Sequence, residues 1–204
     1  DFTNKSEVEM ESVKIGNQIW MTKNLDVNHY RNGDPIRHAQ TTDEWEDANN
    51  KREGACCYYN NDPAKGAIYG KLYNWYAVND PRGLAPNGWH IPTNAEWIIL
   101  ENCLGSSSVA GGKMKSTGTK EGGDGLWRRP NEGATNESGF SALPGGSRDY
   151  YGSFSSIEYL CSWWSATEST ETYAFFETLH YFYNFVGRGG SEKEYGFSVR
   201  CVTD

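Results

Sequence analysis

Two runs that begin Gly-Phe-Ser constrain this chain most. The first reads GFSALP from Gly139, and the second reads GFSVRC from Gly196. In both runs apolar residues alternate with polar or small ones, which is the pattern of a half-buried β-strand. We therefore expect two strands of one sheet. The expected core positions of these strands are Phe140, Ala142, Leu143, Phe197 and Val199.

The span between the two runs is rich in tyrosine, serine, phenylalanine and glycine. A sheet core can take up roughly half of its aromatic rings, because successive residues of a strand face opposite ways. The other rings must then face water or a partner. Tyrosine mixed with serine, glycine and asparagine is also typical of recognition loops, where the ring gives a large contact area at low entropic cost. A tyrosine-faced sheet without a ligand is the alternative.

Several residues of this span lie beside glycines or in unpatterned sequence, where a ring gains little by turning inward. We expect them to cluster on one exposed face, with Trp163 or Trp164 beneath them as a floor. The predicted ligand-binding residues are Asp149, Tyr150, Tyr151, Tyr159, Trp163, Trp164, Tyr181, Tyr183 and Asn184.

The first half of the chain carries short, local signals. Residues 11–21 alternate around Gly16-Asn17, which predicts a β-hairpin. Acidic residues in a first turn predict a short helix over 42–48. Residues 54–61 are strand-like, and residues 72–78 predict a helix that is partly buried.

The clearest helix signal begins at Thr93. Thr93 and Glu96 form a T-x-x-E capping box, and the apolar run behind them ends at Gly105, which predicts a helix between these points. From 105 to 136 glycines are too frequent for a regular element. We expect a long loop there, functional or mobile.

Length and composition favour one irregular domain. A chain of 204 residues can bury a sizeable core, and we expect a flexible segment over 1–12 followed by a single domain over 13–204. With 23 glycines and 14% aromatic residues, a mixed α+β fold is favoured over long helices.

The charge and hydropathy of the chain exclude two classes of partner. A net charge of −8 does not suit nucleic acid, whose phosphates demand clustered lysine and arginine. No run approaches the ~18 apolar residues of a membrane span, so we expect no membrane insertion of the domain. The chain begins at Asp1 without a signal-peptide pattern, and we expect a leader or lipid anchor to lie outside it.

No motif for catalysis stands out. The cysteines, at positions 56, 57, 103, 161 and 201, match no zinc spacing. The four histidines are dispersed, and no serine lies in a nucleophile elbow. Arg148 and Arg200 are expected to hold loop carbonyls or a buried carboxylate. The sequence predicts no catalytic residue, no metal and no cofactor.

Four motifs carry a resemblance to a known family: VKIGNQIWM from Val13, YGKLYNW from Tyr69, GWHIPT from Gly88 and WWSAT from Trp163. From about Val13 to its C-terminus the chain resembles the Fibrobacter succinogenes major paralogous domain. The resemblance implies a C-type-lectin-like fold, in the branch that holds the formylglycine-generating enzymes. That fold has two main helices, a twisted antiparallel sheet and long glycine-rich loops. Most members of the domain family have no assigned biochemistry.

The same resemblance bears on activity. Formylglycine-generating enzymes bind copper through two late cysteines, and Cys161 and Cys201 lie late in this chain but match no motif of that pair. The Glu-Pro-Asn and Trp-Asn-Asp triplets of calcium-dependent lectins do not occur. Some proteins of this branch are diversified by retroelements in a C-terminal segment, and residues 149–187 have a similar composition.

These observations favour a non-catalytic bacterial binding module, secreted or attached to the cell surface. We expect it to recognise a protein or glycan ligand through its C-terminal aromatic loops. Two alternatives remain: an oxidoreductase related to the formylglycine-generating enzymes, and a purely structural surface domain.

Overall fold

The computed structural model of the chain describes residues 10–203. Its strands are β1 (Ser12–Ile15), β2 (Gln18–Met21), β3 (Arg37–His38), β4 (Ala55–Cys57), β5 (Leu72–Tyr73), β6 (Ser147–Arg148), β7 (Phe154–Ser155), β8 (Leu160–Glu168), β9 (Tyr173–His180), β10 (Gly187–Glu192) and β11 (Val202–Thr203). Its helices are α1 (Thr42–Asn50), α2 (Pro63–Tyr69), α3 (Trp75–Val78), α4 (Asn94–Cys103) and α5 (Ser107–Met114), with a 3-10 turn at Tyr59–Asn61.

A hairpin near the N-terminus joins the C-terminus in one sheet. β1 pairs with β2 around Gly16, whose φ of +60° is easily adopted by glycine, so the predicted hairpin is confirmed. β11 pairs with the other edge of β2 and brings the end of the chain back to its beginning. Of the predicted flexible segment 1–12, residues 1–9 lie outside the described residues, and β1 already begins at Ser12.

The longest strands form the antiparallel sheet β10-β9-β8. β8 contains Trp163 and Trp164, whose rings face opposite sides and enter two different hydrophobic clusters. Apolar side chains therefore cover both faces of β8, as the burial of five consecutive residues from Cys161 shows. The span that the sequence assigned to recognition loops thus supplies the central strands of the fold.

The prediction that both Gly-Phe-Ser runs are strands of one sheet is wrong. In the first run Gly139 and Ser141 have positive φ, and Ala142 makes a single parallel bridge to Lys115. In the second run, Phe197 bridges Tyr73 and Ser198 bridges Trp163. Turns interrupt the first run, whereas successive residues of the second run bridge different elements, and neither run forms a strand.

The helix predictions succeed for the two helices that begin with a complete capping box. Both α1 and α4 begin with complete capping boxes, at Thr41 and Thr93. The predicted helix over 72–78 is only partly correct, because Leu72–Tyr73 is a strand and the helix begins after the Asn74 cap. α2 and α5 were not predicted, and α5 lies inside the span expected to be a loop.

The core confirms most of the predicted buried positions. Phe140, Ala142 and Val199 are 0% exposed, and Phe197 is 5% exposed, whereas Leu143 is half-buried. Within the described residues the fold is a mixed α+β arrangement of several small sheets and five helices, as composition favoured. No helix in residues 10–203 is long and apolar enough to cross a membrane.

Candidate functional site

The nine predicted binding residues lie in three separate places. Residues 149–151 form the turn between β6 and β7. A second group, Tyr159, Tyr181, Tyr183 and Asn184, lies around the C-terminal end of β9, where His180 contacts two of the tyrosine rings. Trp163 and Trp164 lie inside β8.

The expectation of one exposed face over a tryptophan floor is wrong. Tyr150 lies beside Tyr173 at the start of β9, whereas Tyr181 follows His180 at its end, roughly 23 Å away by the rise of an antiparallel strand. Both tryptophans are 0% exposed: Trp163 packs on Trp97 and Phe140, and Trp164 packs on Phe197. Neither can touch a ligand, because both sides of β8 are covered.

The second group belongs to a continuous series of aromatic rings that we call the aromatic platform. Ring-centroid distances between successive members are 5.3, 5.8, 5.6 and 4.9 Å. Four of the rings are exposed, from 37% at Tyr159 to 54% at Phe182. The platform consists of Tyr159, Tyr181, Phe182, Tyr183 and Phe185.

A buried lysine fixes the loop that carries the platform. Lys115 is 0% exposed, and its ammonium group donates to the backbone carbonyls of Glu132, His180 and Tyr183 at 2.8, 3.1 and 2.8 Å. Burial lowers the pKa of Lys115 to about 8, while the three carbonyl dipoles favour the protonated form. The Lys115 ammonium group therefore anchors the loop through main-chain atoms only.

Helix α5 approaches the same loop through two glycines. The Gly112 amide donates to the Asn184 carbonyl at 2.9 Å, and the Val186 amide donates to the Ser107 carbonyl at 2.7 Å. A Cβ atom on Gly111 would lie 2.6 Å from the carbonyl oxygen of Phe185, closer than packed atoms allow. The glycines that made the span look like a loop are thus required for the helix to dock.

His180 shapes the turn that follows β9. Its Nδ1 accepts a hydrogen bond from the Phe182 amide at 3.2 Å, which requires this nitrogen to be unprotonated. Burial, followed by the charge of Lys115, lowers the pKa of His180 below its ordinary value. The imidazole is accordingly neutral at pH 7, in the form that supports the turn.

The β6–β7 turn borders a surface cavity, which we call the acidic groove. Its walls are Tyr150, Thr172, Tyr173, Glu192 and Glu194, around a cavity of about 450 Å³. The Tyr150 ring lies 3.9 Å from that of Tyr151 and 6.0 Å from that of Tyr195. Tyr151 is 60% exposed. Rings and carboxylates therefore meet at this end of the sheet.

Arg148 holds the tyrosine turn in place. Its guanidinium donates to the carbonyls of Gly152, Ala39 and Thr41 at 3.0, 2.8 and 2.9 Å. Within the turn, the Ser153 amide donates to the carboxylate of Asp149 at 2.8 Å. Asp149 thus acts as a turn-forming residue, and the structural role predicted for Arg148 is confirmed. Arg200 similarly donates to the carbonyls of Met21 and Phe140.

The groups that an oxidoreductase would need are distributed through the core. Cys161 and Cys201 belong to different hydrophobic clusters and are 0% exposed. Burial raises the pKa of Cys201 to about 12 and that of Cys161 far above its ordinary value, so both are thiols at neutral pH. Among residues 10–203, no three His, Cys, Asp or Glu side chains lie together as a metal ion would require.

Sequence reasoning missed several residues of these two surfaces. Phe182 and Phe185 share the unpatterned loop of Tyr183, so their exposure could have been inferred from the same signal. Lys115 carried no local signal, because its role depends on carbonyls that lie up to 68 positions away. Glu192 and Glu194 reach the acidic groove only through the β9–β10 pairing.

Comparison with known proteins gives one match. A sequence model of the Fibrobacter succinogenes major domain matches residues 13–203. No curated protein and no solved structure matches the chain.

Proposed function

The chain belongs to the Fibrobacter succinogenes major domain family, and we propose its function from the side chains that its surface exposes. The protein is a non-catalytic binding module that recognises a macromolecular ligand through the aromatic platform. The observation that carries this proposal is the exposure of three neighbouring rings, Phe182, Tyr183 and Phe185, on a loop whose backbone is held by Lys115 and α5.

The exposure of these rings argues for a partner. A contiguous apolar patch on a protein surface commonly marks an interaction site, and the buried centres of interfaces are enriched in tyrosine and phenylalanine. Three of the rings lie within four consecutive positions of the chain: Phe182 at 54%, Tyr183 at 46% and Phe185 at 44% exposure. Each would lose most of its remaining contact with water in a complex, and such rings are frequent hot spots.

The chemistry of the platform favours a protein ligand over a glycan. Phe182 and Phe185 have no polar atom and gain from contact with other apolar side chains. Tyr159, Tyr183 and Asn184 add exposed hydroxyl and amide groups beside these rings, which can form the hydrogen bonds of an interface. A glycan that uses the same rings is the alternative outcome of the test below.

The anchoring of the loop favours tight recognition. A flexible loop loses conformational entropy when it binds, at a cost of about 0.5–1.5 kcal/mol for each immobilised side chain. The Lys115 contacts and the hydrogen bonds of α5 hold the loop backbone before a ligand arrives. Less entropy remains to be lost on association, which raises affinity without any additional contact.

The proposal includes a fold relationship and a location. We assign the mixed α+β fold to the C-type-lectin-like class, on the strength of family membership and of the capped helix α4. We place the module on the bacterial surface or outside the cell, where a macromolecular ligand is accessible to it. An antibody against the domain should therefore label intact source cells, and labelling only after lysis would contradict this placement.

A binding screen tests the function directly. The purified domain would be presented to an array of bacterial-surface proteins and to a glycan array. We expect a hit among the proteins that is lost in the Phe182→Ala/Tyr183→Ala variant, while the melting temperature stays within a few degrees, because exposed substitutions usually cost under about 0.5 kcal/mol.

Tyr151→Ala is the matched control, because Tyr151 is equally exposed but lies at the other end of the sheet. It should leave the hit unchanged. Equal loss in both variants, or no hit on either array, would overturn the proposal. A platform-dependent hit on the glycan array alone would replace the protein ligand with a sugar.

A further inference from the structure

The acidic groove has a charge that no described residue neutralises. Glu192 and Glu194 line it, and neither forms an ion pair with any residue of 10–203. The Glu194 carboxylate accepts a hydrogen bond from the Tyr76 hydroxyl at 2.8 Å, and the Glu192 carboxylate lies 3.5 Å from the Tyr173 hydroxyl. Neutral hydroxyls orient these carboxylates but leave their negative charge in place.

The neighbouring cations are already paired. Lys193 lies between the two glutamates in the chain, but its ammonium group binds the Glu168 carboxylate at 3.0 Å and is 7% exposed. Arg52 lies 3.5 Å from Glu171. The groove therefore keeps a local excess of negative charge, which a cation from outside the chain could balance.

Aromatic rings border the same charge. Tyr150 and Tyr173 form part of the wall, and Tyr195 lies 6.0 Å behind Tyr150. The faces of tyrosine rings attract cations through the ring quadrupole. A hydrogen bond with Tyr151 raises the pKa of Tyr150 to about 12, and the charge of Glu192 adds to this shift. The Tyr150 ring thus remains neutral at physiological pH and adds no charge to the groove.

We propose that the acidic groove binds an organic cation of the alkylammonium class, the group that a lysine side chain presents. The carboxylates of Glu192 and Glu194 balance its charge, and the rings of Tyr150 and Tyr173 pack on its methylene groups and face its nitrogen. An anion is disfavoured by the same carboxylates. A neutral apolar ligand would leave their charge uncompensated in a partly covered site.

The groove is separate from the aromatic platform. The two surfaces share no residue and lie at opposite ends of β9. The cation site therefore adds to the proposed function and does not depend on it, and either can fail without the other.

Titration with butylammonium chloride tests the proposal. We expect saturable amide chemical-shift changes in the isotope-labelled domain, confined to residues 149–151, 172–173 and 192–195, at constant ionic strength. The Glu192→Gln/Glu194→Gln variant should bind about tenfold more weakly, because two partly exposed charge interactions are lost. Tyr150→Leu, which keeps an apolar side chain but removes the ring face, should weaken binding several-fold.

The control is Glu132→Gln/Glu137→Gln, which removes two exposed charges outside the groove and should leave the affinity within about twofold. Thermal melts establish that each variant is folded. An equal loss of affinity in the control variant would show that net charge alone causes the effect, and it would overturn the proposed site. Unchanged affinity in the groove variant, or equal shifts with the neutral analogue 1-pentanol, would overturn it as well.

Discussion

At the scale of single residues, buried charged side chains organise the irregular half of the fold. Lys71, Lys115, Arg148 and Arg200 are each 1% exposed or less. Lys115 and Arg148 donate to backbone carbonyls that repeating secondary structure does not satisfy, and Arg200 donates to two backbone carbonyls and to the side chain of Asn24. From the sequence such residues look like surface charges, since burial of lysine and arginine is rare. For this reason the buried role of Lys115 could not be predicted. For Arg148 and Arg200 the sequence indicated a structural role but not the carbonyls that they bind.

Replacing Lys115 with methionine tests the loop anchor. Lys115→Met keeps the apolar stem but leaves three carbonyls without their donor, so we expect a loss of about 2 kcal/mol or more in the free energy of unfolding. Hydrogen exchange at residues 181–186 should become faster. Lys113→Met, two positions earlier in α5, is the control: its ion pair with Glu137 is partly exposed and should be worth less than about 1 kcal/mol. Equal effects of the two variants would contradict the anchor.

The buried carboxyl group of Glu177 should make the free energy of unfolding depend on pH. Its carboxylate is 1% exposed and bound to Arg188, which also binds Glu101, while Glu177 Oε2 has no hydrogen-bond partner. Burial raises the pKa of Glu177 to about 7, above the ordinary value of 4.5 in the unfolded chain. Between these values the folded state holds a proton that the unfolded state has released. Stability from this group is therefore full below about pH 4.5 and is lost as pH rises to about 7.

Urea unfolding of the wild type and of Glu177→Gln across pH 4.5–8 measures this effect. The difference in unfolding free energy between the two proteins should change by up to roughly 3 kcal/mol in favour of the variant as pH rises. Subtracting the variant removes the contributions of other titrating groups. A difference that stays constant with pH would show that Glu177 ionises normally in the fold.

At the scale of elements, the predictions succeeded where local sequence decides the structure and failed where tertiary contacts decide it. The hairpin at Gly16 and the helix after Thr93 depend on residues within a few positions, and both are present. α5 was missed because Gly111 and Gly112 look like helix breakers. Only the approach of residues 184–185 explains why glycine is required there. The same limitation applies to the Gly-Phe-Ser runs, whose alternation reflects burial against several partners.

Gly111→Ala tests the docking of α5. Alanine favours an isolated helix by about 1 kcal/mol over glycine, but its Cβ would meet the Phe185 carbonyl at 2.6 Å, and a backbone oxygen cannot easily move. We expect the clash to prevail, with a net loss of about 1–3 kcal/mol in chemical denaturation and weaker ligand binding at the platform. Val109→Ala, on the exposed side of the same helix, should stay within about 0.5 kcal/mol. A stabilised Gly111→Ala would show that α5 does not dock closely.

At the scale of the whole molecule, β8 joins two hydrophobic clusters and the antiparallel sheet separates two surfaces. The sequence predicted that its C-terminal half would expose aromatic residues, and Tyr151, Tyr159 and Tyr183 are exposed. It could not predict their division between the ends of β9, because that depends on which residues pair in the sheet. Composition gave the α+β class, whereas the arrangement of small sheets required the three-dimensional structure.

Because the two hydrophobic clusters joined by β8 are extensive, we predict that the fold does not depend on a metal ion. Apolar burial, led by Trp20, Trp97 and Phe140 at 0% exposure, supplies the main stabilisation. Dialysis against EDTA should leave the melting temperature within about one degree. A fall of more than about ten degrees would indicate a structural ion, since losing one costs several kcal/mol.

The anchor at Lys115 recognises only main-chain oxygen atoms, so it places no demand on the side chains that follow β9. The exposed residues Phe182, Tyr183 and Phe185 can therefore be exchanged without loss of the Lys115 contacts that hold their backbone. Randomising Phe182, Tyr183 and Phe185 in a library would change what the loop binds while the scaffold stays intact. A domain built in this way can acquire a new specificity by substitution at a few positions, with little of the instability that usually limits such changes.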